Sequence, residues 1–557
     1  MNATANPSSS SPDVLVVGAG PVGLMLASEL RRHGATCRIV DRAAQPTDKS
    51  KAVVVHARTL EHLDHLQLEQ EFLRLGTIVH GVSVFADGRR LAQLHFDGTD
   101  SRYPFVLCIP QSATEQILGN HLTGLGVQVE RRVEFVDFEQ DKSGVTSRLR
   151  SADGSIEEVR SKFLCGCDGS HSTVREKAGI SFGGQGYEEE WILADVKMKE
   201  VAFARDEVTL FAEPHHFFAI FPLPDNRWRL IAVRKIAVPG ETAAPATVEE
   251  FTAMLLRQAK QAFTIYDPVW ISPFRIGHRH ADHIDQGRIF LSGDAAHIHS
   301  QVSGQGMNTG LQDAVNLGWK LALVCKGLSK PELLATYEAE RLPTIKKILF
   351  GTDLATKAVT MRHSVGQQAV NQLARLLIEF EPVHDYLNRN ITELEINYRG
   401  LGCISPYYAK QSRRRALRLR RVAIPGDHAP RAPHLSTLPD QDGIRLYDLL
   451  RHAGHTLVFL QGEDSLGPSS AEVVGFANEL RTRFVAEINP IAVRLEDTWN
   501  PADFDFPVVE DIGEEMHYAY DAESSSVYLI RPDGYIGFRS DWEDRDALKP
   551  FLETYLQ

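Results

Sequence analysis

One short stretch near the start of the chain restricts the fold more than any other. The apolar run Val14 to Val17 leads into Gly18-Ala19-Gly20-Pro21-Val22-Gly23, a helical pattern from Leu24 to His33 and a second apolar run from Thr36 to Val40. Glycines at this spacing permit a tight turn and let a pyrophosphate approach the backbone. Asp41 follows 18 residues after Gly23, near the distance at which an acid accepts hydrogen bonds from an adenosine ribose. The stretch therefore predicts a βαβ unit that binds a dinucleotide.

A second stretch, Gly287 to Cys325, has the features of an anion site. Arg288 to Leu291 reads as a short buried strand, Gly293-Asp294 ends it, and the loop Ser303 to Gly306 leads into a helical pattern from about Met307. Glycines let backbone N–H groups approach a ligand, and a helix N-terminus adds roughly half a positive charge. A carboxylate at the strand end can accept hydrogen bonds from sugar-type hydroxyls, while the loop amides can face a ring that becomes anionic on reduction. A flavin has both parts.

A third motif lies between these two and completes a recognisable set. It reads Cys167-Asp168-Gly169-Ser170-His171-Ser172-Thr173-Val174-Arg175. Together the three stretches resemble the single-component (class A) FAD-dependent aromatic hydroxylases, the phenol-hydroxylase-like monooxygenases. Arg102 to Phe105, Ile109 to Gln111 and Tyr337 to Pro343 also look like this family. The resemblance covers most of the chain from residue 13 to about 360 and, more weakly, the C-terminal part.

The resemblance implies which residues bind the cofactor. The expected FAD-binding residues are Gly18, Gly20, Pro21, Gly23, Asp41, Arg42, Lys51, Gln111, Asp168, Asp294, Gly304, Gly306, Met307 and Asn308. Asp168 is expected near the flavin ribose and phosphate, and Arg175 is expected to stabilise that motif and help nicotinamide dock. Asp294 is expected at the ribityl chain, and the amides of Ser303 to Asn308 at the flavin N1–C2=O edge.

Several of these residues have a second interpretation. In the family, a basic residue near the pyrophosphate stands at the position of Lys51. The alternative interpretation is that Lys51 is a solvent-exposed charge without a role in binding. Gln111 is expected to contact the flavin or to serve as a polar group at a helix start. A capping role for Asp168 at the helix opening near Ser170 is compatible with cofactor binding. One departure from the family pattern is Ser300-Gln301-Val302-Ser303, where many relatives carry Pro and Gly at Gln301 and Ser303.

The predicted fold class is α/β, with a Rossmann-like FAD-binding domain, an inserted antiparallel β-sheet substrate domain and a C-terminal thioredoxin-like domain. The predicted boundaries are 1-12 for a disordered leader; 13-80 with 105-180 and 285-400 for the FAD-binding domain; 81-104 with 181-284 for the substrate domain; 401-433 for a linker; and 434-557 for the thioredoxin-like domain. That last domain has no CxxC pair, and Gly462-Glu463-Asp464-Ser465 follows its first strand, so dithiol chemistry is excluded there.

The composition restricts the possible binding partners of the protein and its cellular compartment. With 43% hydrophobic and 24% charged residues, the chain is an ordinary globular protein. A net charge of -13 argues against nucleic acid or an anionic membrane as the main partner, and no apolar run reaches the length of a membrane span. The six cysteines are scattered, which favours buried, reduced thiols and a cytoplasmic protein. No metal site is predicted, and a homodimer is left open.

A single dinucleotide fingerprint limits the redox chemistry. A disulfide reductase would need a second G-x-G-x-x-G and usually a cysteine pair, and the sequence has neither. The resemblance implies that NAD(P)H, with NADPH favoured, binds transiently and reduces the flavin. It then implies that dioxygen forms a flavin C4a-hydroperoxide, which hydroxylates a phenolic or other electron-rich aromatic substrate. Baeyer–Villiger or epoxidising oxygenation on the same scaffold, or a non-catalytic flavin-binding regulator, are the alternatives.

The sequence assigns no catalytic residue. A phenolic substrate would gain from deprotonation, and the candidates for the base are His215, His216, Tyr187 and Arg229. The substrate pocket is expected on the β-sheet domain, where the apolar candidates, each also interpretable as a core residue, are Phe217, Phe218, Phe221, Leu223 and Trp228.

Overall fold

The computed structural model describes residues 11–47, 51–86, 88–213, 216–236, 244–260, 263–299, 304–359, 381–406, 422–430, 435–436, 445–462, 467–485, 487–495 and 499–557. The predicted leader up to residue 10, much of the predicted linker and the loop Ser300 to Ser303 lie outside the described residues.

A six-stranded sheet forms the base of the first part of the chain. Its strand order is Asp285–Gln286, Ile289–Leu291, Phe163–Gly166, Val14–Val17, Cys37–Asp41 and Val129–Arg131. Neighbours are parallel except the first pair, which is antiparallel. Every residue of Val14–Val17 is buried, as is typical of a central parallel strand with both faces covered.

Strand order in this sheet brings the three sequence motifs together. Phe163–Gly166 pairs in parallel with Val14–Val17 on one side and with Ile289–Leu291 on the other. The carboxyl ends of adjacent parallel strands lie at one edge of the sheet, which is where open α/β sheets bind ligands. The loops that carry Gly18, Asp168 and Asp294 therefore meet at this edge.

Helices and two small sheets complete this part. The helices are Pro21–Arg32, Ala57–His65, Glu69–Leu75, Gln111–Gly124, Thr173–Lys177, Gln305–Cys325, Ala335–Val359 and Glu381–Ile391, with 3-10 turns at Gly293–Ala295 and Pro331–Leu334. One three-stranded sheet contains Val54–Val55, Val106–Cys108 and Thr77–Val79, and the other contains Ile156–Ser161, Val145–Arg150 and Glu134–Gln140.

The middle of the chain forms an eight-stranded sheet. Its order is His297–Ile298, Thr264–Ala281, Phe182–Lys199, Arg227–Ile236, His216–Pro222, Glu207–Glu213, Gly81–Ala86 and Arg89–His95. The helix Val248–Ala259 covers one face, where Phe251 meets Phe218 edge-on at 6.1 Å. The prediction of an antiparallel sheet is wrong for one pair, because Glu207–Glu213 runs parallel to Gly81–Ala86. These two strands are far apart in sequence, so no tight turn forces them to be antiparallel.

The C-terminal part has its own six-stranded sheet. The order is Leu435–Ser436, Val508–Asp511, Ile488–Arg494, His455–Leu460, Ser526–Ile530 and Ile536–Asp541. Three central strands are mutually parallel and the last two are antiparallel. The helices are Leu446–Leu449, Ser470–Arg483, Glu515–Ala519 and Leu548–Leu552, with 3-10 turns at Pro501–Asp503 and Trp542–Ala547.

A buried ionic cluster joins this C-terminal part to the first part. Arg531 donates to both carboxylate oxygens of Glu340, at 2.8 and 2.9 Å, and Lys320 donates to the same carboxylate at 2.8 Å. All three side chains are fully buried. Burial alone would raise the pKa of Glu340, but the two cations hold it well below its usual value. Arg531 also pairs with the buried carboxylate of Asp533 at 2.5 Å, so two cations face two carboxylates and the junction is a desolvated, charge-matched contact.

The sequence pattern predicts helices at Thr59 to Leu75, Pro382 to Arg399 and Asp546 to Leu556, and all three are shorter or divided in the structure. The predicted helix Thr59 to Leu75 is two helices, separated at Gln67, whose φ of 58° is left-handed. The predicted helix Pro382 to Arg399 ends at Ile391, just before Glu393 with a φ of 62°. The predicted final helix Asp546 to Leu556 is helical only over Leu548–Leu552, after a 3-10 turn. Left-handed residues interrupt the i to i−4 ladder, and a composition pattern does not reveal them.

Candidate active site

The glycine-rich turn after the first strand leaves one glycine open to a ligand. A Cβ on Gly23 would lie 1.9 Å from the carbonyl oxygen of Gly18, so helix and turn are in direct backbone contact there. A Cβ on Gly20 would meet no atom within 4 Å. Gly20 lines three adjoining cavities of about 440, 220 and 290 Å³. The three cavities therefore meet at Gly20.

Asp41 lines two of these cavities, those of 220 and 440 Å³. Its carboxylate accepts hydrogen bonds from the amides of Ala19 and Ala43, both at 2.7 Å. Arg131 approaches the same group at 3.6 Å. Arg42 and Asp168 line the neighbouring cavity. The end of the second strand thus presents a carboxylate and an arginine at the place predicted for the adenosine ribose.

Asp168 caps a short helix beside the central cavity. Its carboxylate accepts hydrogen bonds from the Ser172 hydroxyl and from the amides of Thr173, at 2.7 Å, and Val174, at 3.2 Å. Burial raises the pKa of Asp168, although these donors oppose the shift. The capping interpretation is confirmed, and the side chain also lines the 220 Å³ cavity.

Arg175 links the loop of Asp168 to the loop of Asp294. Its guanidinium donates to the carbonyl of Ser170 at 3.0 Å and to the carbonyl of Ala295 at 2.9 Å. It also lies over the ring of Phe182, at 3.9 Å from the centroid. Since it is 5% exposed and fully engaged with these groups, Arg175 stabilises the two motif loops against each other.

Asp294 opens into the 290 Å³ cavity. Its side chain lines this cavity, and burial within the protein raises its pKa. The charges of His297 and Lys51 oppose the shift. No residue of the described chain hydrogen-bonds the Asp294 carboxylate, which leaves both oxygens for a ligand's hydroxyl groups.

The long helix Gln305–Cys325 starts at the wall of the same cavity. Gly304 caps it in the left-handed region, with a φ of 67°, and Gly306 and Met307 line the cavity. Asn308 is fully buried; its amide group donates to the carbonyls of Val54 and Gly304 and accepts from the amide of His56, each at 2.9 Å. The Asn308 side chain therefore fastens the segment after Lys51 to the helix start and does not face the cavity.

Lys51 and Gln111, both expected to contact FAD, line the cavity. Gln111 accepts from the amide of Ala52 at 3.1 Å and donates to Glu115 at 3.0 Å. Arg229 donates to the carbonyl of Lys51 at 3.1 Å, and its guanidinium is paired with Asp195. The eight-stranded sheet thereby holds the Lys51 segment in place.

Only one of the five predicted pocket residues lines the cavity. Phe221 does so together with Ile231, Val53 and Val54. Alternate residues of a strand point to opposite faces, so Phe218 packs instead under the helix Val248–Ala259 with Trp228. Phe217 and Leu223 pack in the apolar core on the cavity side of the sheet without lining the cavity. For these four residues, the core interpretation is the correct one.

The predicted candidates for a base are not supported by their surroundings. Tyr187 donates to Asp353 at 3.0 Å and does not line the cavity, and Arg229 is a buried cation paired with Asp195. The side chains of His215 and His216 lie outside the described residues.

Sequence reasoning missed two buried histidines that the structure places beside the cavity. His297 and His299 are two residues apart in an extended segment, so their rings share one face, with His299 at the cavity wall. Their rings are 4.7 Å apart. The signal in the sequence was the His-x-His pattern that begins three residues after Asp294.

Several known proteins are similar to this chain in sequence and in fold. Residues 11–352 match the family model described as FAD binding domain. The chain is 34% identical to the 6-methylpretetramide 4-monooxygenase of Streptomyces rimosus, over 98% of this chain and 94% of that protein. It is 30% identical to the pentachlorophenol 4-monooxygenase of Sphingobium chlorophenolicum, over 98% and 96% respectively. The solved structure of an anhydrotetracycline hydroxylase from Streptomyces rimosus matches with a TM-score of 0.73 at 30% identity, covering 98% of this chain and 99% of that one.

The chain therefore belongs to the class A flavoprotein aromatic hydroxylases, within the FAD binding domain family. It is an FAD-dependent monooxygenase, and NAD(P)H is the usual reductant of such enzymes. Among the helices that the structure describes, none combines the length and the apolar character needed to cross a bilayer.

The residues present fit FAD. The open face of Gly20 suits a pyrophosphate, and the unpartnered carboxylate of Asp294 suits a ribityl chain. The three cavities that meet at Gly20 give room for a dinucleotide on both sides of this glycine.

Proposed function

We propose that this protein hydroxylates a phenolic or other electron-rich aromatic compound, using NAD(P)H and dioxygen. The observation that carries the proposal is the 290 Å³ cavity, in which Asp294 and the helix start at Gly304 to Met307 face apolar side chains of the eight-stranded sheet. One end of this cavity suits a flavin ring and the other suits an aromatic ring. When bound, FAD would accept a hydride from NAD(P)H and activate dioxygen by the C4a-hydroperoxide route that the resemblance implies.

The protein's own contribution is to position both rings and to exclude water. Phe221, Ile231 and Val53 give the substrate side an apolar wall, which would exclude water from the reacting centre and so limit side reactions. The first amides of the helix Gln305–Cys325 would stabilise negative charge on the flavin ring edge. Lys51 and Gln111 would contact the cofactor from the opposite wall.

A screen of phenols with the purified holoenzyme tests this proposal. A substrate should accelerate NAD(P)H oxidation and yield a product heavier by one oxygen atom, and NADPH should be the better reductant. Conversion of a ketone to an ester would favour Baeyer–Villiger oxygenation instead. Failure of every aromatic compound to stimulate NAD(P)H oxidation would favour a non-catalytic flavin-binding role.

The domain organisation is part of the same proposal. The segments 13-80 with 105-180 and 285-400 would bind FAD, and 81-104 with 181-284 would close over the substrate. Residues 434-557 would form a thioredoxin-like domain, a reading supported by the parallel strands His455–Leu460 and Ile488–Arg494 joined by the helix Ser470–Arg483. Its role would be structural. A cytoplasmic location and a homodimer remain proposals, which cell fractionation and light scattering would measure.

A further inference from the structure

The tip of one hairpin in the C-terminal sheet is enclosed by the first part of the chain. This hairpin tip, Arg531 to Tyr535, joins the last two strands of that sheet. Arg58 donates to the carbonyl of Asp533 at 2.8 Å, and its guanidinium lies over the ring of Tyr535, 4.7 Å from the centroid. Asp533 and Tyr535 are both no more than 2% exposed. The hairpin tip therefore places the Tyr535 ring inside the first part of the chain.

One tyrosine connects the hairpin tip to Arg341. The ring of Tyr535 packs on the ring of Tyr398, with the centroids 4.3 Å apart. The Tyr398 hydroxyl accepts a hydrogen bond from Arg341 Nη1 at 2.9 Å. The backbone of Tyr398 is also tied to the hairpin, because its amide donates to the carbonyl of Gly426, whose amide donates to the carbonyl of Ile536. The position of the Tyr398 hydroxyl therefore depends on the C-terminal part.

Arg341 connects Tyr398 to the helix that begins at the flavin cavity. Its Nε donates to Asp313 Oδ1 at 2.7 Å, and its Nη2 donates to the carbonyl of Thr309 at 3.1 Å. Both partners belong to the helix Gln305–Cys325. The donors of a guanidinium form one rigid fork, so a shift at Nη1 also changes the geometry at Nε and Nη2. Arg341 is fully buried, so water does not replace a lost partner.

Asp313 holds the turn of Asp294 on both sides. Its Oδ2 accepts a hydrogen bond from the amide of Gly293 at 3.2 Å and lies 2.6 Å from His297 Nε2. Burial opposes ionisation of Asp313, but the charge of Arg341 holds the pKa of Asp313 below its usual value, so the carboxylate remains an acceptor. The orientation of Asp294 towards the cavity therefore depends on the pair that Asp313 forms with Arg341.

We propose that the hairpin tip positions the FAD-binding turn of Asp294 through Tyr398 and Arg341. Tyr535, Tyr398 and Arg341 are positioning residues, since none of them lines the three cavities of the cofactor site. They form a continuous series of buried contacts, which is an arrangement that carries energetic coupling between separated sites. The C-terminal part therefore contributes to FAD affinity as well as to stability.

Two substitutions interrupt this series at different points. Tyr398→Phe removes the hydroxyl that accepts from Arg341, and Tyr535→Leu removes the ring that packs on Tyr398. Both should raise the dissociation constant of FAD by about fivefold or more, measured by fluorescence titration of the apoprotein. In the apoprotein without FAD, hydrogen–deuterium exchange of the peptide that contains the Gly293 amide should also become faster. Neither measurement involves turnover, so either result leaves the proposed function as it stands.

The matched controls are Tyr520→Phe and Tyr520→Leu. Tyr520 is a fully buried tyrosine of the C-terminal part, its hydroxyl donates to the carbonyl of Pro430 at 3.2 Å, and its ring lies 5.0 Å from that of Tyr528. These substitutions remove the same atoms as the test variants and should lower the free energy of unfolding. They should leave FAD affinity and exchange at Gly293 unchanged, because Tyr520 is not part of the series.

The double variant tests whether the two positions act through one route. Tyr398→Phe combined with Tyr535→Leu should weaken FAD binding no more than the stronger single substitution does. Should Tyr535→Leu fail to fold, Tyr398→Phe decides alone, because it deletes a single oxygen atom. The inference is overturned if Tyr398→Phe binds FAD like wild type, if the Tyr520 variants weaken binding equally, or if the effects of the two test substitutions multiply.

Discussion

At the residue scale, Asp168 and Asp294 have the same side chain and opposite surroundings. The Asp168 carboxylate accepts hydrogen bonds from Ser172, Thr173 and Val174, so Asp168 stabilises the loop that leads into the short helix. The Asp294 carboxylate faces the cavity without a hydrogen-bond partner in the described chain. Asp294 is therefore the carboxylate that we expect to bind FAD hydroxyls directly.

We predict that Asp294→Ala weakens FAD binding by about ten- to a hundredfold, because it removes hydrogen bonds to a charged acceptor. Fluorescence titration of the apoprotein with FAD measures the dissociation constant. The exposed Asp544→Ala should bind FAD like wild type. An Asp294→Ala protein that purifies with full FAD would show that the Gly-Asp motif has been misassigned.

Residues in the motifs were predictable because their spacing alone defines a cofactor turn. His299 was not, because its environment depends on Asp313 and Arg341, which follow it by one and two secondary-structure elements. The side-chain role of Asn308 was also hidden, since its partner Val54 belongs to a distant strand. Tertiary contacts, and not local pattern, decide which polar side chains face the cavity.

At the element scale, the turn between Val14–Val17 and Pro21–Arg32 uses its glycines for two different purposes. Gly23 permits the helix to pack on the turn, and Gly20 leaves room for a ligand. The distribution of apolar residues in the sequence predicted this strand and this helix well, because a buried parallel strand and an amphipathic helix each have a recognisable local pattern. It did not predict the parallel pair Glu207–Glu213 with Gly81–Ala86, since strand partners far apart in sequence leave no such pattern.

We predict that Gly20→Ala and Gly23→Ala separate these purposes. Gly20→Ala should fold normally and bind FAD weakly, because the new methyl group enters only the ligand space. Gly23→Ala should lower the free energy of unfolding by about 3 kcal/mol or more, because its Cβ clashes with backbone. Urea unfolding of the apoproteins and FAD titration measure the two effects.

The control is Gly119→Ala in the helix Gln111–Gly124, where a Cβ meets no atom within 4 Å. It should raise the free energy of unfolding by about 0.5–1 kcal/mol through helix propensity. Equal behaviour of Gly20→Ala and Gly23→Ala in both assays would refute the division of roles.

At the scale of the whole molecule, the C-terminal part is docked through desolvated polar groups. Besides the Arg531–Glu340–Lys320 cluster, His455 packs edge-on against Trp319 at 5.6 Å and lies 3.1 Å from the Tyr555 hydroxyl. The sequence predicts a thioredoxin-like domain over residues 434-557, and the structure shows a separate six-stranded sheet within these residues. Its tight docking was not predictable, because the partners are hundreds of residues apart in sequence.

We predict that acid weakens this junction through His455. Burial, assisted by Arg531, lowers the pKa of His455 to about 3, whereas an unfolded histidine titrates near 6.5. Between these values the unfolded chain binds the extra proton, so stability falls as pH falls, by at most about 1.4 kcal/mol per pH unit. Thermal unfolding from pH 7 to pH 4 should show a shallower decline in His455→Gln than in wild type. If the unfolding temperatures of the two proteins fell in parallel with pH, His455 would not contribute to the loss of stability in acid.

The central claim is that the enzyme oxygenates an aromatic ring bound in the cavity between Asp294 and Phe221. Turnover of a phenol that stimulates NAD(P)H oxidation, under dioxygen labelled with the heavy isotope, tests it most directly by mass spectrometry of the product. The account predicts one labelled oxygen atom bonded to the ring, usually next to the existing hydroxyl. Label found only in hydrogen peroxide or water, with every tested aromatic recovered unchanged, would contradict it.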